Sequence, residues 1–171
     1  MNTYRTAADN AAQRVEDMRQ VIVRIDDALR RLDQLLDALQ PALPGKLRVE
    51  WRLVGVRGEG EDRRTLTPQV VKWLRKNNES VWWSVALRKG TASRSRRRSK
   101  DFEANSEAVS KVCQEIDRLL DKRARIGTLL QRFSSGVGGL LPATLHWLDE
   151  MESMLDKIQR PAANPQSKGE V

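Results

Sequence analysis

Cys113 and His146 are the only cysteine and the only histidine in the 171-residue chain. No other pair of residues could supply a thiol nucleophile with an imidazole base. Cys113 follows Val112 in a helical repeat, where a lone cysteine behaves as a small hydrophobe. His146 precedes Trp147 in a second helical stretch, where it packs or faces solvent. A single cysteine also excludes an internal disulfide and a multi-cysteine zinc site. The motifs GxxxxGK[ST], GxGxxG, HExxH and GxSxG are absent, so a phosphate cradle, a helical zinc site and a nucleophile elbow lack support. Gly55, Gly58 and Gly60 match no phosphate fingerprint. The acid pairs Asp26-Asp27 and Asp149-Glu150 fall on predicted helix surfaces, where solvation accounts for them. The expectation is a non-enzymatic protein with no metal and no cofactor.

The residues that can do chemistry of another kind are the basic ones. The net charge is +8, and it is unevenly placed. Residues 46–100 carry 16 Lys and Arg against 5 acids, while the segments on either side are slightly acidic. A local excess of this size makes a field that attracts polyanions. The predicted phosphate contacts are Arg48 and Arg52 on one strand face, and Arg88 and Lys89 at the end of another. Arg94, Arg96, Arg97, Arg98 and Lys100 extend beyond them as a basic arm. Trp51, Trp73, Trp82, Trp83 and Trp147 are five tryptophans beside only two Phe and one Tyr. Trp51 and Trp83 fall on apolar faces and are expected in the core. Trp82 falls on the opposite face, beside Ser84 and Arg88, where it could stack on an unpaired base or pack under a neighbouring segment.

These residues need elements to position them. Val15, Met18, Ile22, Ile25, Leu29, Leu32, Leu36 and Leu39 recur by threes and fours, which predicts one long helix over residues 3–40. Pro41, Pro44 and Gly45 end it. Leu47 to Leu53 alternates apolar and charged residues, the pattern of a half-buried strand with Leu47, Val49, Trp51 and Leu53 inward. Gln69 to Arg75 reads as a second strand, although Thr67-Pro68 could open a short helix. Asn77-Asn78 marks a turn, and Ser80 to Arg88 a third strand. The basic stretch 90–101 contains no apolar residue larger than Ala92 and is expected to be a mobile loop or a strand extension. Helical periodicity returns at Val109, Val112, Ile116, Leu119, Ile126, Leu130 and Phe133, with Arg123 as its polar break. Ser134 to Gly139 reads as a turn. A third helix follows, with Pro142 in its first turn, and Pro161 ends it. The tail 161–171 is polar and expected to be disordered.

The expected fold class is α+β: long heptad-patterned helices forming a bundle, with a three-stranded antiparallel meander (46–89) between helix 1 and a helical hairpin (102–160). Residues 1–160 form a single domain. Ile22, Ile25, Leu29, Leu32 and Leu36 are the expected oligomerisation stripe, making a homodimer or seizing a partner helix. No apolar run approaches the roughly 20 residues that a membrane helix needs.

Pro68-Gln69-Val70-Val71-Lys72-Trp73, then Trp82-Trp83, then the arginine-rich stretch closing in Lys100-Asp101-Phe102-Glu103, resembles small accessory proteins of bacterial plasmids and integrative conjugative elements. That resemblance covers residues 47 to about 130 and implies a cytoplasmic protein working near DNA. It carries over no functional residue. The expected function is nucleic-acid binding, DNA before RNA, without catalysis; the alternative is a coiled-coil adaptor for another protein.

Overall fold

The computed structural model describes residues 6–55, 65–75 and 80–159, with side chains to 156. The glycine loop beyond Gly55, the Asn77-Asn78 turn and the tail from residue 161 lie outside them. Three helices and a three-stranded antiparallel sheet give an α+β protein. No helix among the described residues is long and apolar enough to cross a membrane.

Helix α1 spans Ala7–Leu39. It starts where Thr6 and Asp9 form a capping box, each side chain accepting the other's backbone N–H at 2.9–3.1 Å. It stops at Gln40, whose backbone is extended, ahead of Pro41. Strands β1 (Leu47–Val54), β2 (Thr65–Arg75) and β3 (Trp82–Ala86) follow in the order β1-β2-β3. Pro68 inside the central strand has a local explanation. The Trp73 N–H donates to the Lys46 carbonyl at 2.8 Å, so odd-numbered residues of β2 bond to β1 and even-numbered ones face β3. Pro68 therefore lacks its N–H on the β3 side, and β3 ends before reaching it.

A one-turn helix, α2 (Ala92–Ser95), and a 3-10 turn (Lys100–Phe102) lead into α3, Ser106–Gln159. Contacts divide the chain into two compact units, Met1–Thr128 and Leu129–Val171. In the first unit, Ile25, Leu29 and Leu36 of α1 pack with Val109, Val112, Cys113 and Ile116 of α3 against Leu47, Val49 and Val70 of the sheet. Leu29, Leu36, Leu47 and Ile116 are fully buried, each worth about 1.5–3 kcal/mol of transfer free energy. In the second unit, α3 exposes most of its apolar side chains.

Three expectations need correction. The helical hairpin is one 54-residue helix. Gly136, Gly138 and Gly139 are not among the positive-φ glycines, which among the described residues are Gly45, Gly55 and Gly90. The repeat runs through them in phase, from Phe133 to Val137, Leu140, Thr144 and Trp147, and continuity of the apolar face outweighs weak local propensity. The stretch 90–101 is not a mobile loop, because Ala92 is fully buried in the core. The α1 stripe does not face outward: Ile25, Leu29 and Leu36 are core residues, Leu32 packs against them, and Ile22 is half-buried. The chain's own sheet and α3 occupy the stripe that was expected to pair with a second copy.

Candidate polyanion-binding surface

Register places each predicted contact. Arg48 and Arg52 share the sheet face away from the helical core, as the alternation implies, but both are neutralised. Arg48 donates to both carboxylate oxygens of Asp33 at 2.8–2.9 Å and to Asp37 at 2.7 Å. Asp33 raises the Arg48 pKa further above its ordinary value. Hydrogen bonding from Lys46, at 2.6 Å, holds Asp37 below the usual carboxylate range, and Arg48 adds to this. Arg52 pairs with Glu50 at 2.9 Å and reaches across the sheet to the Ser84 hydroxyl and carbonyl. Lys89 pairs with Asp121 at 2.8 Å.

The stretch Arg88–Lys100 is held from several directions. Backbone N–H groups of Gly90 and Ala92 donate to Asp117, whose carboxyl burial nevertheless pushes above its ordinary value. Lys72 donates to the Ser95 carbonyl at 3.0 Å. Arg96 donates to the Ser106 carbonyl and, at 2.7 Å, to its hydroxyl. Arg97 donates to the Pro44 carbonyl and lies over the Phe102 ring, 6.0 Å from its centroid. The Arg97 stem explains Gly45, where φ is +105° and a Cβ would meet Arg97 Cδ at 2.7 Å.

These partners are carbonyls and hydroxyls. They fix the guanidinium groups without neutralising them. Arg88, Arg94, Arg96, Arg97, Arg98 and Lys100 have no carboxylate within ion-pair distance among the described residues. Arg98 and Lys100 are exposed. Arg96, Arg97, Arg98 and Lys100 line one cleft of about 390 Å³ with Ser99 and Glu103. The buried Ser99 hydroxyl on that cleft has no hydrogen-bond partner.

The structure thus brings Arg96, Arg97, Arg98 and Lys100 to one cleft, whereas Arg88 lines a different one beside Lys89. Trp82 begins β3, and Arg88 lies two residues beyond the other end of that strand. Trp82 is half-buried, with the Arg75 guanidinium 5.8 Å from its ring centroid. Arg75 is directly opposite Trp82 in the register, a partner that counting back across the turn could have found. Trp51 packs at the edge of the core under Arg30, whereas Trp83 remains 40% exposed rather than in the core. Lys72 carried no sequence signal, because its role depends on a contact with distant backbone.

Cys113 is fully buried, and burial pushes its thiol up to about 11. His146 lies in the second unit, exposed, 3.4 Å from Glu150 one turn away. No family model, curated protein or solved structure matches this chain.

Proposed function

We propose that this protein binds nucleic acid, DNA before RNA, through the phosphate backbone, with the Arg88–Lys100 segment as the contact surface. The observation that carries the reading is the division of its cations. Those on β1 are neutralised by α1 and by the sheet, while six between residues 88 and 100 keep their charge. Arg96, Arg97, Arg98 and Lys100 line one cleft, and like charges closer than the roughly 8 Å Debye length of physiological salt repel. A polyanion relieves that repulsion and releases its counterions. Prior fixation of Arg96 and Arg97 lowers the ordering cost on binding. Trp82 with Arg75 offers a stacking position for an unpaired base at the far end of β3.

The test is fluorescence anisotropy with labelled duplex and single-stranded DNA and RNA across a salt series. Six duplex phosphate contacts give a slope of log K against log salt of about −5. Arg98→Ala with Lys100→Ala lowers the magnitude of that slope by about 2, and the fold should be unaffected because neither side chain anchors the segment. Replacing Arg94, Arg96, Arg97 and Arg98 together with Ala weakens binding alike on all sequences. Absence of binding at low salt overturns the proposal. Protein binding, the alternative, is favoured by a separate observation: nine large apolar side chains stand exposed between Leu129 and Leu155.

A further inference from the structure

Residues 129–156 of α3 form an amphipathic helix whose apolar face lacks cover among the described residues. Leu140 is 71% exposed and Trp147 56%. Leaving aside Leu145, which points to another side of the helix, the exposed large apolar residues of this stretch, at 41–71%, present roughly 800 Å² if each contributes about half of a 200 Å² residue surface. Soluble monomers rarely expose more than a few hundred Å² in one patch. A standard stable interface takes about 800 Å² from each partner. We infer that a second copy of this chain covers the face, with the two α3 segments antiparallel about a two-fold axis near Pro142.

The seam is self-complementary in that orientation. Residue numbers summing to 284 come into the same layer, which pairs Leu130 with the partner's Met154 and Phe133 with the partner's Met151. Val137 then meets the partner's Trp147, and Leu140 the partner's Thr144. Each layer joins an a position to a d position, as antiparallel knobs-into-holes packing requires. One axis generates every layer twice, the mark of a closed isologous dimer. Leu141, Leu148 and Leu155 widen the seam on one side.

Charge selects the same orientation. Between 129 and 143 the only charge is Arg132, whereas 144–159 carries Asp149, Glu150, Glu152 and Asp156 against Lys157 alone. Parallel pairing would set eight carboxylates together at one end. Antiparallel pairing separates the two acidic ends and brings each near the Arg132 end of the other copy.

The full chain, free of nucleic acid, is followed by sedimentation velocity over a concentration series, which keeps this test independent of the phosphate surface. The expected result is a monomer–dimer equilibrium. Leu140→Asp with Trp147→Asp weakens it about a hundredfold or more, while Cys113 stays protected from thiol reagents and so reports an intact first unit. For orientation, a Phe133→Cys chain and a Met151→Cys chain, both with Cys113→Ala, are mixed and oxidised. Mixed disulfides are expected, with each chain failing to cross-link to itself. A wild-type chain that stays monomeric, a dimer that survives both aspartates, or self-cross-linking of each chain overturns the inference.

Discussion

The outward N–H and C=O of Leu47 would meet another strand in a wider sheet. Here the Gln40 amide takes that place: its Oε1 accepts from Leu47 N–H at 3.0 Å and its Nε2 donates to the Leu47 carbonyl at 3.1 Å. Asp33 does the same for Val49 N–H at 2.7 Å. Asp33 of α1 and the residue that caps its end, Gln40, thereby cover the start of the open edge of β1. Gln40→Ala leaves a buried donor and acceptor without partners, and we expect a loss of about 2–4 kcal/mol in urea unfolding. A loss under 0.5 kcal/mol would show that the amide is not needed there. Cys113, buried with its pKa at about 11, should react with thiol reagents only as fast as the first unit opens. Labelling at the rate of a free thiol in native buffer would contradict that burial. Acid stability has two opposing contributions. Asp37 and Asp121 have folded pKa values below 3.8, so their stabilisation is present above that value and is lost as pH falls through the folded pKa. Asp117 has a folded pKa above 3.8, so its contribution moves the other way and stability rises as it takes up a proton. Urea midpoints measured from neutral to acid pH should pass through a maximum before falling. Asp117→Asn should remove the rise, and Asp37→Asn should flatten the fall.

At the level of elements, the unbroken α3 makes a prediction that a hairpin would reverse. Gly136, Gly138 and Gly139 each have open space where a Cβ would go. Alanine at each should therefore stabilise the helix by about 0.5–1 kcal/mol, read as a higher melting temperature and greater helical ellipticity. A turn using positive φ at these glycines would instead be destabilised. Sequence made α1 and β1 legible because their periods of 3.5 and 2 follow directly from which side is buried, whereas β2 was legible only from its β-branched and aromatic residues, and the apolar alternation of β3 marks a side that is exposed. Sequence misled at residues 134–142, where three glycines and a proline signal a break locally while the apolar phase continues. Only the phase carries tertiary information, and it is lost if each half is indexed separately. The basic stretch misled for a related reason. Its arginines are anchored on the carbonyls of Pro44 and Ser106, and its own Ser95 carbonyl accepts from Lys72; backbone acceptors leave no trace in side-chain composition. The parity of β1 correctly assigned Arg48 to its sheet face. It could not assign its partners, Asp33 and Asp37, because they reach it around an edge rather than across a face.

At the scale of the molecule, the excess charge of residues 46–100 is divided by the fold into a neutralised part and an unneutralised one. A ligand that binds only the folded state stabilises it by mass action. An oligonucleotide or heparin at a hundred times its dissociation constant should add about 2.7 kcal/mol to unfolding of the first unit. The gain should shrink with added salt and with Arg98→Ala and Lys100→Ala. An unchanged melting temperature at saturating polyanion would dissociate charge from binding. The order of the elements along the chain has a kinetic consequence. Residues 25–39 of α1 are made first, yet their partners in α3, residues 109–116, are made about eighty residues later. The core cannot close until the sheet and the start of α3 are present. During synthesis the Leu29 and Leu36 face has no native cover beyond the emerging meander, and that is the interval in which a nascent chain is most exposed to capture by chaperones.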